Sequence, residues 1–285
     1  MKYNALSMSY FPGCSLATTA KENNASLSRF LCRFNIHLTE LEDWNCCGSS
    51  STHSIDAKLA LNLAARNLFI APPDKPLLIA CPGCFLRLRH AQMELLDQPE
   101  KRKEMEEIFQ AEFNPNLELV HFFELMTQMA QADKFKGLKG KLKGLKIAPY
   151  YGCMLARPPG MRKEKNFFGL LENTMAALGA EPVPWGFSAR CCGTFLSVGR
   201  PRIAEDMVNR IMGGACAAGA ECIVTACAMC HLNLEIRCKP ANELPVFHFS
   251  ELLSLAVDGH APKDWLKRHL IDPRPVLRQR EIPRT

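Results

Sequence analysis

The sequence predicts an α/β protein of two tandem homologous domains, each a small, mostly parallel β-sheet flanked by helices, related by a pseudo-two-fold duplication. Three observations predict it. Short apolar runs alternate with longer stretches of helical period along the chain. One set of cysteine landmarks occurs twice, in the same order. Those cysteines fall where the predicted strands end, which is where ligands collect in an open parallel sheet.

In the first half, apolar runs at 8–11, 36–41, 76–80 and 117–121 read as strands, and periodic stretches near 19–34, 53–70, 83–97 and 123–132 as helices. The second half repeats the order, with strands near 146–151, 181–185, 222–226 and 245–248 and helices near 161–178, 200–218, 228–237 and 249–257. Strict alternation of strand and helix implies crossover connections and a parallel sheet. The halves meet in the Lys/Gly-rich segment from Asp133 to Lys146, DKFKGLKGKLKGLK, which reads as a solvated linker. This sets an N-terminal domain at 1–136 and a C-terminal domain at 137–285. The segment carries +5 of the formal net charge of +6, so the rest of the chain is close to neutral and no nucleic-acid face is expected. The Pro/Arg-rich tail DPRPVLRQREIPRT reads as a surface or partner-docking segment, or as disorder.

With 285 residues, 47% hydrophobic and 22% charged, the chain has ample material for a buried core. Its first residues lack the pattern of a secretion signal, and no apolar run is long enough to span a membrane. A cytoplasmic protein without a membrane span is expected. In that reducing compartment, fourteen cysteines point to metal ligation or catalysis and away from structural disulfides.

Ten of the fourteen form the repeat: Cys14, Cys46-Cys47-Gly48 and Cys81-x-x-Cys84, then Cys153, Cys191-Cys192-Gly193 and Cys227-x-x-Cys230. The intervening gaps are 31 and 33 residues in the first half and 37 and 34 in the second. A C-x-x-C at the first turn of a helix presents two thiolates to one ion, with free N–H groups and the helix dipole to offset their charge. The adjacent pair can serve one site only from an irregular turn, which the following glycine permits. Five thiolates exceed the four that zinc or an ordinary cubane accepts. Either one cysteine per half is idle, or the centre is a cluster of unusual shape in which a thiolate bridges irons. Zinc ribbons draw ligands from short loops, whereas these come from three strand ends. A thioredoxin-type reading leaves Cys14, Cys153 and both vicinal pairs without a role. Cys32, Cys216, Cys222 and Cys238 lie outside the repeat and read as free thiols used as small hydrophobes.

The ten-cysteine pattern resembles the duplicated CCG domains of the heterodisulfide reductase B subunit, over nearly the whole chain. The resemblance implies two noncubane [4Fe-4S] clusters, each held by five cysteines and facing each other across the junction of the halves. It implies two-electron reductive cleavage, or formation, of a disulfide lodged between them, with each sulfur captured by an iron and one electron supplied from each side. The substrate is then a disulfide, a thiol or a sulfur carrier. The chain carries no ferredoxin-type cysteine run and no G-x-G-x-x-G after a strand. Electrons must therefore come from elsewhere in a multi-subunit complex, and the resemblance implies a ferredoxin-like C subunit fed by a flavin-containing A subunit. CCG domains also occur in proteins resembling quinone- and 2-hydroxyacid-linked oxidoreductase components, so an electron-transfer role without a substrate of its own is the alternative.

Other residues are candidates for supporting roles. His121 and His248 recur in HFFEL and HFSEL where a strand gives way to a helix, positioned to approach a cluster or donate a proton, or else to serve as structural histidines. Glu124 and Glu251 recur with them as first-turn residues. Arg157, Arg162 and Lys163 follow Cys153 and are candidates for an anionic substrate tail or for a solvated basic face; Arg190 is a candidate to offset cluster charge. Trp44 and Trp185 precede the vicinal pairs and would shield a cluster or simply pack in the core.

Overall fold

The computed structural model describes residues 6–49, 51–138, 140–156, 167–261 and 264–282. The first half comprises β1 (Leu6–Phe11), α1 (Gly13–Ala17), α2 (Lys21–Cys32), β2 (Ile36–Glu40), α3 (Thr52–Ile55), α4 (Ala57–Phe69), β3 (Leu77–Ile79), α5 (Pro82–Asp97), α6 (Pro99–Phe109), β4 (Leu119–His121) and α7 (Phe122–Gln131). The second comprises β5 (Lys146–Tyr150), α8 (Gly152–Ala156), α9 (Leu170–Ala177), β6 (Glu181–Pro182), α10 (Pro201–Ala217), β7 (Cys222–Thr225), α11 (Ala228–Arg237), β8 (Val246–His248), α12 (Phe249–Asp258) and α13 (Arg274–Gln279). Each half forms one four-stranded, wholly parallel sheet, with orders β2-β1-β3-β4 and β6-β5-β7-β8.

All eight predicted strands are present. The predicted helix over 53–70 is two helices, broken at Asp56, whose extended backbone lets its carboxylate cap α4 by accepting from the Leu59 N–H at 2.9 Å. The predicted helix over 161–178 is described only from its later part, as α9. Helix α6 shows no hydrophobic period because its charged sequence buries only Met105; Pro99 at its first turn is the one local signal for it. The short α1 and α8 and the late α13 are also absent from the sequence-based expectation.

Period-two alternation explains the layering. Leu78 of β3 faces one core while Leu77 and Ile79 face another, packed under α4, α5 and α6. In the second half Ala148, Tyr150, Ile223 and Val246 face α10 and α11. The opposite faces of both sheets share a single core through α2, α7, α9 and α12, giving five layers. Parallel sheets require such cover on both faces. Phe122 and Phe249, which occupy equivalent places in the repeat, meet there with ring centroids 4.9 Å apart.

Helix α2 of the first half lies against α12 of the second. Ser26 and Ser250 hydroxyls are 2.6 Å apart, and Arg29 and Arg33 both pair with Asp258, at 2.9 and 2.7 Å. The reading of the Lys/Gly segment as a solvated linker is corrected, because Phe135, Leu142 and Leu145 are buried in the shared core while Lys134, Lys136, Lys141, Lys143 and Lys146 are exposed. The tail is likewise packed as far as Ile282: Leu277 and Ile282 are buried, and Arg280 forks onto Glu221 at 2.8–3.1 Å.

Candidate functional site

Each cysteine is positioned by the end of a strand. In order β2-β1-β3-β4 the direction of chain progression reverses between β1 and β3, so the loops after those strands flank the switch-point crevice. After β1, Gly13 takes φ 72° and starts α1, which carries Cys14; after β5, Gly152 does the same at φ 69° for Cys153. Both positions need glycine for the backbone angle, and Gly13 needs it for space as well. A Cβ on Gly13 would sit 2.8 Å from the Cys84 sulfur, and one on Gly152 would sit 3.4 Å from that of Cys230. Cys81 and Cys227 are the N-caps of α5 and α11, which places Cys84 and Cys230 in the first turns. The vicinal pairs lie in irregular loops after β2 and β6, where Gly193 donates its N–H to the Cys191 sulfur at 3.3 Å.

All ten repeat cysteines line one cavity of about 160 Å³ between the halves. The sulfurs of Cys14 and Cys46 are 3.7 Å apart, those of Cys47 and Cys84 3.2 Å, and those of Cys192 and Cys230 3.2 Å. Cys153 is hydrogen-bonded to Cys191. Across the junction the Cys81 and Cys227 side chains interact directly. Cys32, Cys216, Cys222 and Cys238 do not line the cavity. Its remaining wall includes Met154, Phe195 and Met229, none of which stands out in the sequence. The signal for two of them is adjacency, since Met154 follows Cys153 and Met229 precedes Cys230.

Burial and mutual hydrogen bonding shift these thiols, some up and some down. Hydrogen bonding to Cys46, then burial, pushes the Cys14 thiol up, and hydrogen bonding to Cys191, then burial, does the same to Cys153. Hydrogen bonds from Cys46 and Cys84 pull Cys47 down to about 5, and one from Cys230 pulls Cys192 down to about 7. Cys84 and Cys230, the hydrogen-bond partners of those two thiols, are raised. Protons are thus shared between neighbouring sulfurs because ten thiolates cannot be buried together without cations. Sulfur-only donor sets of this kind suit soft thiophilic metals, which replace the shared protons.

The histidines sit elsewhere. His121 caps α7, its Nδ1 accepting from the Phe123 N–H at 3.1 Å, and Glu124 returns the bond by accepting from the His121 N–H at 3.1 Å. His248 caps α12, with Glu251 accepting from its N–H at 2.8 Å. Burial lowers His248 to about 3, which keeps it neutral. Neither ring lines the cavity. Trp44 packs edge-on against Phe11 and Trp185 packs at a tilt against Tyr150, both beside the strand ends but outside the cavity wall. Arg190 is exposed. Arg157, Arg162 and Lys163 lie outside the described residues.

Fold and site together define a class: a duplicated α/β protein whose strand ends gather two five-thiol sets. The cysteine-rich domain family known as CCG matches the chain twice, at residues 8–89 and 147–235. The chain belongs to this family. It is 31% identical to the 8-methylmenaquinol:fumarate reductase membrane anchor subunit of Wolinella succinogenes, over 92% of this chain and 96% of that one. It is 29% identical to the B subunit of the ferredoxin:CoB-CoM heterodisulfide reductase of Methanosarcina mazei, over 90% of each. A crystal structure of a hypothetical protein from Helicobacter pylori shares the fold, with TM-score 0.71 at 14% identity; the match covers 93% of this chain and 52% of that one. Among the described residues no helix is long and apolar enough to cross a membrane.

Proposed function

We propose that this chain is the iron–sulfur subunit of a heterodisulfide reductase-like complex, and that a disulfide or related sulfur–sulfur bond is reductively cleaved, or formed in reverse, in the cavity between its halves. The observation that carries this reading is the arrangement of two complete five-thiol sets around one cavity. Cys14, Cys46, Cys47, Cys81 and Cys84 would hold one noncubane [4Fe-4S] cluster, and Cys153, Cys191, Cys192, Cys227 and Cys230 the other. The donor set fits: five sulfurs per half, close enough in pairs to share one metal centre, with protons that a cluster would displace.

When bound, the two clusters supply one electron each, and with two protons these convert one disulfide to two thiols. The chain's own residues do the rest. Gly13 and Gly152 hold the loops close enough for Cys14 and Cys153 to reach the shared site. Met154, Phe195 and Met229 give the cavity an apolar wall that favours a sulfur substrate over water. His121 and His248 serve this site through the helices they cap. Electrons enter from a ferredoxin-like C subunit, supplied in turn by a flavin-containing A subunit.

The second reading, an electron-transfer component of a quinone- or 2-hydroxyacid-linked complex, is favoured by the similarity to the fumarate reductase protein. One experiment separates them. Anaerobically purified protein should contain about eight irons, as two four-iron clusters require. Adding candidate thiols under oxidising conditions should perturb the EPR signal of a cluster. Full iron content with no response to any thiol supports the electron-transfer reading, and zinc in place of iron overturns both.

A further inference from the structure

A separate cavity of about 430 Å³ lies away from the cysteines, between α4, α5 and α6. Most of its exposed lining is apolar, from Ala57, Ala60, Leu61, Ala64, Ala91 and Met105, with His53, His90, Glu94 and Glu104 also on the wall, the two carboxylates each paired with a lysine. The ion pair Lys58–Glu104, at 2.7 Å, ties α6 to α4, and Lys101–Glu94 ties it to α5. Two polar side chains reach this space with groups left over. The Arg87 Nε and the Asn62 Oδ1 are both buried and have no hydrogen-bond partner. Such groups are rare because each forfeits its hydration for nothing.

The duplication supplies an internal control. Arg87 stands three residues after Cys84, and Asn233 stands three residues after Cys230. Asn233 is fully engaged: its amide donates to the Cys192 carbonyl at 2.7 Å, and its oxygen accepts from Ser197 and Arg237 at 3.0 and 2.9 Å. Helix α6 has no counterpart either, since only a 3-10 turn at Pro240–Asn242 separates α11 from β8. The cavity and its unpaired guanidinium are therefore additions to the cysteine-binding unit and not requirements of it.

We propose that this cavity binds a small organic carboxylate, with the carboxylate on Arg87, a hydroxyl or N–H donor on Asn62 and an apolar body against the alanines and Met105. A guanidinium fork matches a carboxylate or a phosphate equally. The apolar wall decides for an organic anion, and the volume lies within the ~300–1,000 Å³ of small-molecule sites. Arg87 is one turn from Cys84 and in the electrostatic field of Cys47, so the ligand's charge would be felt at the first cysteine set. This inference does not depend on which redox reaction the cysteines serve.

The test is isothermal titration of the anaerobically purified full chain with 4-hydroxybenzoate, benzoate and inorganic phosphate. Saturable binding of 4-hydroxybenzoate at about 1 mM or tighter is expected. Arg87→Met should weaken it roughly tenfold or more, as loss of a charged hydrogen bond does. Ala60→Leu, which adds bulk to the apolar wall and leaves the guanidinium in place, should weaken it as well. Removing an unpaired, half-buried cation is not expected to unfold the protein, and circular dichroism checks both variants. No saturable binding by the unsubstituted protein, an affinity unchanged by Arg87→Met, or phosphate binding as tight as the carboxylates would overturn the proposal.

Discussion

At the scale of single residues, the duplication separates chemistry from support. His121 and His248 both cap a helix that follows a strand, and each is answered by a glutamate three residues on. The second half then adds what the first lacks. His269 bridges two buried carboxylates, Glu235 at 3.2 Å and Glu251 at 3.0 Å. Burial alone would lower His269, but the Glu251 charge and the bond to Glu235 outweigh it and raise the imidazole to about 10. Burial also opposes ionisation of Glu235, yet hydrogen bonds from His231 and His269 bring it down to about 2. A raised imidazole contributes stability in full below its unfolded value of 6.5 and loses it as pH rises toward 10. A depressed carboxylate contributes above its unfolded value of 4.5 and loses that as pH falls toward 2. The two windows overlap between about pH 4.5 and 6.5. Thermal midpoints should therefore fall between about pH 7 and 10, and His269→Gln should flatten that slope. Equal slopes in both proteins would show that His269 is not charged in the fold.

At the scale of elements, the strand-to-helix corners carry the site. Gly13 and Gly152 occupy equivalent corners at nearly equal positive φ, but the space beside them differs. Gly13→Ala places a methyl 2.8 Å from the Cys84 sulfur, and Gly152→Ala only makes an ordinary contact at 3.4 Å with that of Cys230. Both substitutions should cost about 1–2 kcal/mol from backbone strain. Gly13→Ala should in addition disturb Cys84 and reduce metal content in the first half alone, measured as iron per chain beside denaturant melts. Equal metal loss in both variants would mean that the backbone angle, and not the sulfur contact, sets the site. The cysteines at these corners were legible from their place after an apolar run, but Gly13 and Gly152 were not, since their role depends on a sulfur brought up from another helix; α6 was not legible either, because a helix with one buried residue leaves no hydrophobic period to read.

Over the whole molecule, the two domains are not independent bodies. One hydrophobic cluster runs from Met8 to Ile282 and takes side chains from both sheets. Phe122 and Phe249 sit in it fully buried and in mutual contact. Phe249→Ala should cost about 3–5 kcal/mol through the cavity it leaves. The unsubstituted chain should melt in one transition by both circular dichroism and tryptophan fluorescence. Two separated transitions would show that the halves fold apart, and a small loss for Phe249→Ala would show that the junction repacks.

The ligand candidates were legible because thiol identity and spacing are local properties: five cysteines, the glycine after the vicinal pair and the preceding strands are written within short stretches, twice over. The α/β class followed from the same local periodicities. What lay beyond reach was everything that depends on how α2 meets α12. That packing brings Cys81 to Cys227, places Met154, Phe195 and Met229 around the sulfurs, buries the leucines of a lysine-rich segment that looked like a linker, and folds the tail against Glu221. Contacts between residues far apart in the chain arise from the fit of two surfaces, and no local pattern records which surfaces will meet.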